Sequence, residues 1–296
     1  MTASLRTIAN HALSRRSFSA AILAFLAMPQ HVRAQQPEPR IAALDWAWAE
    51  TLLALGARPY AIAEAELYRE RVVTPELPND VIDLGLRSWP NMELLKSLQP
   101  DLILTQAGYG VQAATLEPIA PTLPLPLFTA ERRPLQLAKA GLKTIAARIH
   151  REQQALQYKA DFEQKLSRIR ASLRSYDGRP VLIVKFADER ILDIYGPGSL
   201  FHDVLGRLGL ENAWTEAGNH WGFSTSGLNA IARNPEARLV IIEPGPPEKL
   251  VGSDLWRAIP SVKANRVVTI PPTWVFGALP SAMRFATILG KALQPA

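Results

Sequence analysis

The sequence predicts an α/β fold of two lobes that are joined by a single long helix. Three observations support this prediction. Short apolar strands alternate with helices in both halves of the chain, which is typical of mainly parallel sheets covered by helices. Similar sequence patterns recur in the two halves, and the segment between them contains neither glycine nor proline. We therefore expect an N-terminal lobe at 40–150, a connecting helix at 151–176 and a C-terminal lobe at 177–296.

The N-terminal half contains the first set of strands and helices. Gly56 follows one apolar helical segment, where a glycine commonly ends a helix. Asn91 is a favoured N-cap residue for the next helix, and Pro100 stops that helix. The spacing predicts strands at 40–45, 59–63, 81–84 and 101–105, with helices at 46–55 and 91–98.

The C-terminal half repeats this pattern. We predict strands at 180–186 and 191–195 and a helix at 200–208 that ends at Gly209. The segment 232–242 resembles the earlier segment 97–104, because each has a polar residue, a proline, an acid and then an apolar strand. This recurrence favours two lobes of related topology over one continuous sheet.

The connecting segment has the periodicity of a helix with one buried face. Its apolar residues are three or four positions apart, which places them on one side of a helix. At ~1.5 Å per residue such a helix would cross a whole lobe. A single stiff connector predicts that the two lobes move little relative to each other. The residues of this face are Tyr158, Phe162, Leu166, Ile169 and Leu173.

Composition and charge exclude several classes of protein. The 296 residues include no cysteine, which excludes disulfides, thiolate nucleophiles, zinc ribbons and iron–sulfur clusters. The formal net charge is +6, but residues 1–34 hold four arginines and no acid. The rest of the chain has 29 basic and 27 acidic residues and no basic run. The balance argues against a nucleic-acid partner.

The first 34 residues have the features of a cleavable signal peptide. Ser14–Phe18 contains an arginine pair, Ala20–Met28 is apolar, and Val32–Ala34 ends in a small residue. The apolar stretch is too short to span a ~30 Å hydrocarbon core. The arginine pair favours the twin-arginine export route, with the general secretory route as the alternative. We therefore expect the mature chain in the periplasm.

The sequence contains no recognisable catalytic or metal-binding arrangement. No GxSxG is present, no GxGxxG follows a strand, and the histidines have no metal-ligand spacing. Several acids lie at strand ends or in helices, and we interpret them as solvated caps: Asp45, Glu50, Asp83 and Glu243. We therefore predict no catalytic residue, no protein-bound metal and a protein that is not an enzyme.

Aromatic residues are concentrated in the predicted loops, next to glycine and proline. These residues are Trp89, Tyr109, Trp221, Trp274 and Phe276. Loops tend to be exposed and to carry functional residues. Each ring taken singly could instead plug a loop end against the core. As a set they favour the walls of a cleft.

Arg87 lies at the end of a predicted strand. The carboxyl ends of parallel strands are where α/β folds bind ligands. Tyr109 also follows a strand, so we expect Arg87 and Tyr109 to face one opening. Trp221 and Trp274 would reach that opening from the other lobe.

Several motifs in this order resemble one family, the periplasmic ferric-hydroxamate-binding proteins that feed iron–siderophore ABC importers. The resemblance covers essentially the whole chain after the leader. The motifs are found at 40–46, 52–56, 81–87, 90–95, 107–110, 195–201, 212–214, 221–222 and 274–278.

The resemblance implies a class III periplasmic binding protein with a helical backbone and a shallow cleft. Its ligand would be a ferric hydroxamate siderophore that keeps the iron coordinated, so no protein metal ligand or cofactor is needed. Its partners would be an inner-membrane ABC permease and its ATPase, and the protein would be a monomer.

The resemblance also assigns residues. Arg87 and Tyr109 match groups that contact the hydroxamate oxygens, while Trp221 and Trp274 match aromatic walls. Two positions differ, because Phe276 stands in place of a tyrosine and Thr105 in place of a tryptophan.

A docking residue can be assigned in one lobe only. Glu93 matches an acid that docks on the permease, although an acid is also favourable in the first turn of any helix. Asn229 occupies the corresponding position of the C-terminal lobe, where relatives have an acid.

Two alternatives remain open from the residues themselves. The first is a receptor for another iron chelate, haem or cobalamin. The second, from a different class, is an exported hydrolase that acts in the cleft. Ligand binding without turnover would separate the first from the second.

Overall fold

Five parallel strands form the N-terminal sheet in the computed structural model, which describes residues 38–294. The strands are β1 (Ile41–Ala43), β2 (Ala61–Ile62), β3 (Ile82–Asp83), β4 (Leu102–Gln106) and β5 (Thr122–Leu125). Their order is β3-β2-β1-β4-β5, so the chain starts in the centre of the sheet and extends it on both sides. The predicted leader lies outside the described residues.

The helices of this half confirm the predicted helix ends and add elements that were not predicted. Asn91 caps its helix by accepting a hydrogen bond from Leu94 N at 3.0 Å, and Gly56 adopts a left-handed conformation with φ 68°. β5 and three of the helices, α2, α4 and α5, were not predicted. The helices are α1 (Trp46–Ala54), α2 (Ala65–Arg71), α3 (Met92–Ser97), α4 (Ala113–Leu116) and α5 (Pro134–Arg148).

The C-terminal sheet also has five strands, but it is mixed rather than a repeat of the first. The strands are β6 (Val181–Phe186), β7 (Ile191–Tyr195), β8 (Phe223–Gly227), β9 (Arg238–Ile242) and β10 (Val267–Ile270). The order is β10-β9-β6-β7-β8, in which β7 is antiparallel to both β6 and β8. The predicted similarity in topology between the two lobes therefore holds only for the parallel strands β6, β9 and β10. A short hairpin after β6 turns the chain back.

The helices of the second half begin with the connecting helix. The long connecting helix α6 (Glu152–Ser172) continues into a 3-10 turn at Leu173–Ser175, close to the predicted bounds. The others are α7 (Leu200–Leu208), α8 (Asn229–Ala232), α9 (Glu248–Val251), α10 (Asp254–Ala258), α11 (Pro260–Lys263) and α12 (Leu279–Ala292).

The long helix is part of a layer of packed helices. Phe162 and Leu166 on its predicted face are buried, and α5, α7 and α12 pack against it. α12 also packs against α1, so the last helix of the chain returns to the N-terminal half. Phe201 and Phe285 stack at 4.1 Å between ring centroids and join α7 to α12. Pro39 and the residues after it thus form one compact unit.

The structure confirms the predicted α/β fold class with two sheets and a long helix. Within residues 38–294, no helix combines the length and apolar character that crossing a bilayer requires.

Candidate functional site

A cleft of about 240 Å³ lies between loops of the two halves. Five of the residues that line it are aromatic, and the other three are polar or charged. Asp45, Arg87, Gln106 and Tyr109 come from the N-terminal half, and Trp221, Phe223, Trp274 and Phe276 come from the C-terminal half. The structure therefore brings together five of the six residues that the sequence predicted for a ligand site.

The N-terminal wall is built from the carboxyl ends of three parallel strands. Asp45 follows β1, Arg87 follows β3, and Gln106 is the last residue of β4. Because the strands are parallel, these ends meet at one edge of the sheet. Tyr109 follows β4 in a loop that approaches Arg87 closely: a Cβ on Gly110 would lie 3.0 Å from the Arg87 carbonyl oxygen.

Arg87 is held by an ion pair and two aromatic rings. Its Nε donates a hydrogen bond to Glu64 Oε2 at 2.7 Å, and both side chains are largely buried. The guanidinium carbon lies 3.8 Å from the centroid of the Trp46 ring and 5.1 Å from that of Trp274. Among the described residues, the terminal nitrogens of Arg87 have no hydrogen-bond partner. They are donors available to a ligand.

The aromatic wall is a set of rings packed mostly edge to face. Trp221 contacts Tyr109 across the cleft, with ring centroids 5.8 Å apart, and contacts Phe276 at 5.8 Å. Phe128 lies behind both, at 5.2 Å from Trp221 and 5.8 Å from Phe276. Each edge-to-face pair of this kind contributes about 0.5–1.5 kcal/mol. The wall is therefore formed before any ligand arrives.

Gly222 places Trp221 against the rest of the C-terminal half. It has φ 82°, and a Cβ at this position would lie 2.1 Å from Ser199 N. A side chain cannot fit there, so this loop requires glycine. The tight contact fixes the backbone next to Trp221.

The interpretation of Asp45 as a solvated cap was wrong, because the residue is buried in the cleft wall. Its side chain does cap α1, since Oδ1 accepts a hydrogen bond from Ala47 N at 2.9 Å. The residue is nevertheless 5% exposed. Burial raises the pKa of Asp45 to about 6, although nearby Arg87 and the bond from Ala47 favour the charged form.

Glu50 was also wrongly interpreted as solvated. It is fully buried and joins α1 to the start of α12, where it accepts hydrogen bonds from Ala278 N and, at 2.6 Å, from Ser281 Oγ. Burial raises the pKa of Glu50 to about 8 despite these donors. Glu50 lies behind the cleft and connects the two halves.

The remaining predicted residues lie away from the cleft lining. Trp89 is 77% exposed in the loop after Arg87. Glu93 is exposed in the first turn of α3, and Thr105 is buried within β4. None of these three is among the residues that line the cleft.

Sequence reasoning missed three lining residues, Asp45, Gln106 and Phe223. The first two could have been found by the rule that identified Arg87, because each lies at the carboxyl end of a parallel strand. Phe223 follows the Trp221-Gly222 pair as the first residue of an unpredicted strand. No group of three or more possible metal ligands occurs within the described part of the chain.

Comparisons with known proteins agree with this architecture. Residues 41–273 match the family described as periplasmic binding protein. The chain is 34% identical over 266 residues to the iron(3+)-hydroxamate-binding protein FhuD of Escherichia coli K12, covering 89% of each chain.

Two solved structures of binding proteins have a similar fold. The siderophore-binding protein FhuD of Vibrio cholerae, bound to Fe3+-Desferal, matches with a TM-score of 0.82 and 31% identity, over 87% of this chain and 98% of that one. The periplasmic haem-binding protein HutB of Vibrio cholerae matches with a TM-score of 0.69 and 20% identity, over 87% and 100% of the two chains. The latter similarity is one of fold alone.

Proposed function

Because this chain belongs to the periplasmic binding protein family, we propose that it captures ferric hydroxamate siderophores and delivers them to an inner-membrane ABC importer. The observation that carries the proposal is Arg87, which presents unpaired donors in a cleft whose walls are mostly aromatic. The E. coli protein that is 34% identical to this chain over 266 residues is an iron(3+)-hydroxamate-binding protein.

The chemistry of the ligand fits this cleft. Three hydroxamates carry three negative charges and neutralise Fe(III), which gives a bulky neutral complex with oxygen atoms on its surface. Such a ligand needs a broad apolar surface and a few well-placed donors. The planar guanidinium of Arg87 can donate to two oxygens at once. Tyr109 has a phenol at the same edge, and its hydroxyl would be a further donor.

The iron would remain bound by the siderophore, so the protein would need no metal ligand, cofactor or catalytic residue. Trp221 and Trp274 would contact the complex, and Phe276 would extend the apolar surface without the hydroxyl of a tyrosine. Trp89, which lies outside the cleft lining, would contact the part of a large ligand that protrudes.

The mature protein would act in the periplasm as a monomer after export through its N-terminal signal. Exposed Glu93 would contact the permease, which works with its ATPase. The C-terminal half has Asn229 at the position where the resemblance expects a second acid, so docking there would use another residue.

A ligand panel tests the proposal directly. We expect ferrichrome and ferrioxamine B to quench tryptophan fluorescence, because Trp221 and Trp274 line the cleft. The iron-free siderophores serve as controls and should bind more weakly. Native mass spectrometry of each mixture should give a one-to-one complex that contains unaltered ligand.

Two results would overturn the proposal. Tighter binding of haemin or cyanocobalamin than of either ferric hydroxamate would favour the other receptor classes. Chemical conversion of a ligand on prolonged incubation would favour the hydrolase.

A further inference from the structure

The charges in the cleft do not balance. Of the eight lining residues, Arg87 is the cationic one and Asp45 the anionic one. The charge of Arg87 is already matched by Glu64, whose Oε2 lies 2.7 Å from Nε. The two carboxylates and one guanidinium leave this edge of the sheet with one negative charge when Asp45 is ionised.

One oxygen of Asp45 is available to the cleft. Oδ1 accepts the hydrogen bond from Ala47 N, whereas Oδ2 has no partner among the described residues. The side chain lines the cavity although the residue is 5% exposed. The unbonded oxygen is therefore the one left to interact with a ligand in the cavity, and the burial of the side chain weakens the screening of its charge by solvent.

We propose that Asp45 is a specificity-determining residue that selects ligands by charge, so that the cleft prefers ferric complexes of positive or zero net charge over anionic ones. This inference rests on the proposed function and narrows its substrate class. An anionic chelate would lie beside an unpaired carboxylate and an arginine that is already neutralised. A complex with a pendant ammonium would be attracted.

Other titratable groups near Asp45 can be distinguished from it. Glu50 lies behind it on α1, and with a pKa raised to about 8 it is mostly neutral at pH 7 and below. Glu64 and Arg87 form an ion pair, so their charges compensate each other. His220 lies 5.1 Å from the ring of Trp221, which lines the cleft.

Three forms of one ligand test the selection without changing the iron centre. Ferrioxamine B carries a free ammonium and has a charge of +1, its N-acetyl form is neutral, and its N-succinyl form has a charge of −1. At pH 7.5 and low ionic strength, we expect the affinity to fall in that order. The first and last should differ about tenfold, as expected for charges several ångström apart in partly screened surroundings.

The variant Asp45→Asn removes the charge and keeps an oxygen that can cap α1. The readout is the ratio of affinities within the variant, and we expect the tenfold difference between the ammonium and succinyl forms to fall to about threefold or less. Asp101→Asn is a matched control, because Asp101 is an exposed acid before β4, at the opposite end of the same sheet. It should leave the charge preference unchanged.

Acidification supplies a second readout. Below pH 6 Asp45 gains its proton, so the native preference for the cationic form should shrink between pH 7.5 and pH 5. Asp45→Asn should show a smaller pH effect than the native protein, because it lacks the carboxyl group that titrates.

The outcomes separate this inference from the proposed function. If none of the three ferric forms binds, the proposed function fails. If all three bind native protein equally, the function stands and charge selection is overturned. If the preference exists but persists unchanged in Asp45→Asn, Asp45 is not its source.

Discussion

At the scale of single residues, the orientation of Arg87 depends on groups from three separate elements. Glu64 at the start of α2 accepts its Nε hydrogen bond, Trp46 of α1 lies under the guanidinium, and Trp274 of the loop after β10 lies beside it. Cation–π contacts of this kind contribute about 0.5–2 kcal/mol each. The arginine is thus positioned before a ligand binds, which reduces the entropy lost on binding.

Replacing Arg87 should weaken ligand binding without unfolding the protein. Arg87→Ala removes a charged hydrogen-bond donor to the ligand oxygens, which is worth about 1.5–3 kcal/mol. We expect a loss of about ten- to a hundredfold in affinity for ferrichrome, measured by tryptophan quenching. Arg87→Lys should recover only part of the loss, because an ammonium cannot present two donors in one plane.

A surface arginine provides the control for this measurement. Arg58 pairs with Asp80 on the surface, and Arg58→Ala should leave ferrichrome affinity unchanged. Arg87→Ala protein that remains folded by circular dichroism and binds with native affinity would remove Arg87 from the site.

At the scale of secondary-structure elements, Glu50 connects the first and last helices of the described chain. Its carboxyl group accepts hydrogen bonds from the start of α12, where backbone N–H groups have no partner within the helix. A Cβ on Gly277 would lie 2.8 Å from Glu50 Oε1, so glycine permits this close approach. The connection holds α12 against α1 next to the loop that carries Trp274 and Phe276.

The buried carboxyl group of Glu50 should make stability depend on pH. Its pKa is raised from 4.5 to about 8 in the folded protein, so between these values the folded state keeps a proton that the unfolded state has lost. The contribution of Glu50 to stability is therefore fully present below about pH 4.5 and is lost as the pH rises through 8. The contribution of Glu50 should be about 1 kcal/mol per pH unit within this range.

Thermal unfolding from pH 6.5 to 8.5 measures this contribution. In that range Asp45 is mostly ionised and adds little, because its pKa is about 6. Glu50→Gln should have a smaller fall in Tm with rising pH than the native protein has. Exposed Glu117 provides the control, and Glu117→Gln should behave as native protein. Parallel pH profiles for native and Glu50→Gln protein would contradict the burial-raised pKa.

At the scale of the whole molecule, the two halves share a continuous hydrophobic core. One cluster of buried side chains includes residues of β1, α1, α6, α7 and α12. Arg132, in the loop before α5, also donates hydrogen bonds to Pro197 O at 3.3 Å and Gly218 O at 2.9 Å, in loops of the C-terminal half. Closing or opening the cleft widely would break these contacts.

The molecule should therefore change shape little when it binds a ligand. We expect the radius of gyration, measured by small-angle scattering, to change by less than about 1 Å on addition of saturating ferrichrome. Buffer-matched protein with iron-free ferrichrome is the control. A compaction of several ångström would show that the helical layer bends and that the shared core is not a rigid connection.

The sequence alone determined the features that depend on neighbouring residues. The helix ends at Gly56, Asn91 and Gly209 follow from local backbone and capping preferences. The long helix follows from the spacing of its apolar face. The positions of Arg87 and Tyr109 at one opening follow from a rule about parallel strands that needs only the order of the elements.

Tertiary structure alone decided which groups are buried and which strands pair. Asp45 and Glu50 lie on local patterns that suit a solvated cap, but residues far along the chain surround both. Arg87 and Trp274 line the cleft with Asp45, and the start of α12 contacts Glu50. The pairing of β8 with β7 likewise joins residues that are far apart in the sequence. Local sequence does not encode such contacts. The free energy of burying a carboxyl group or of pairing an edge strand depends on residues that come together only in the folded structure.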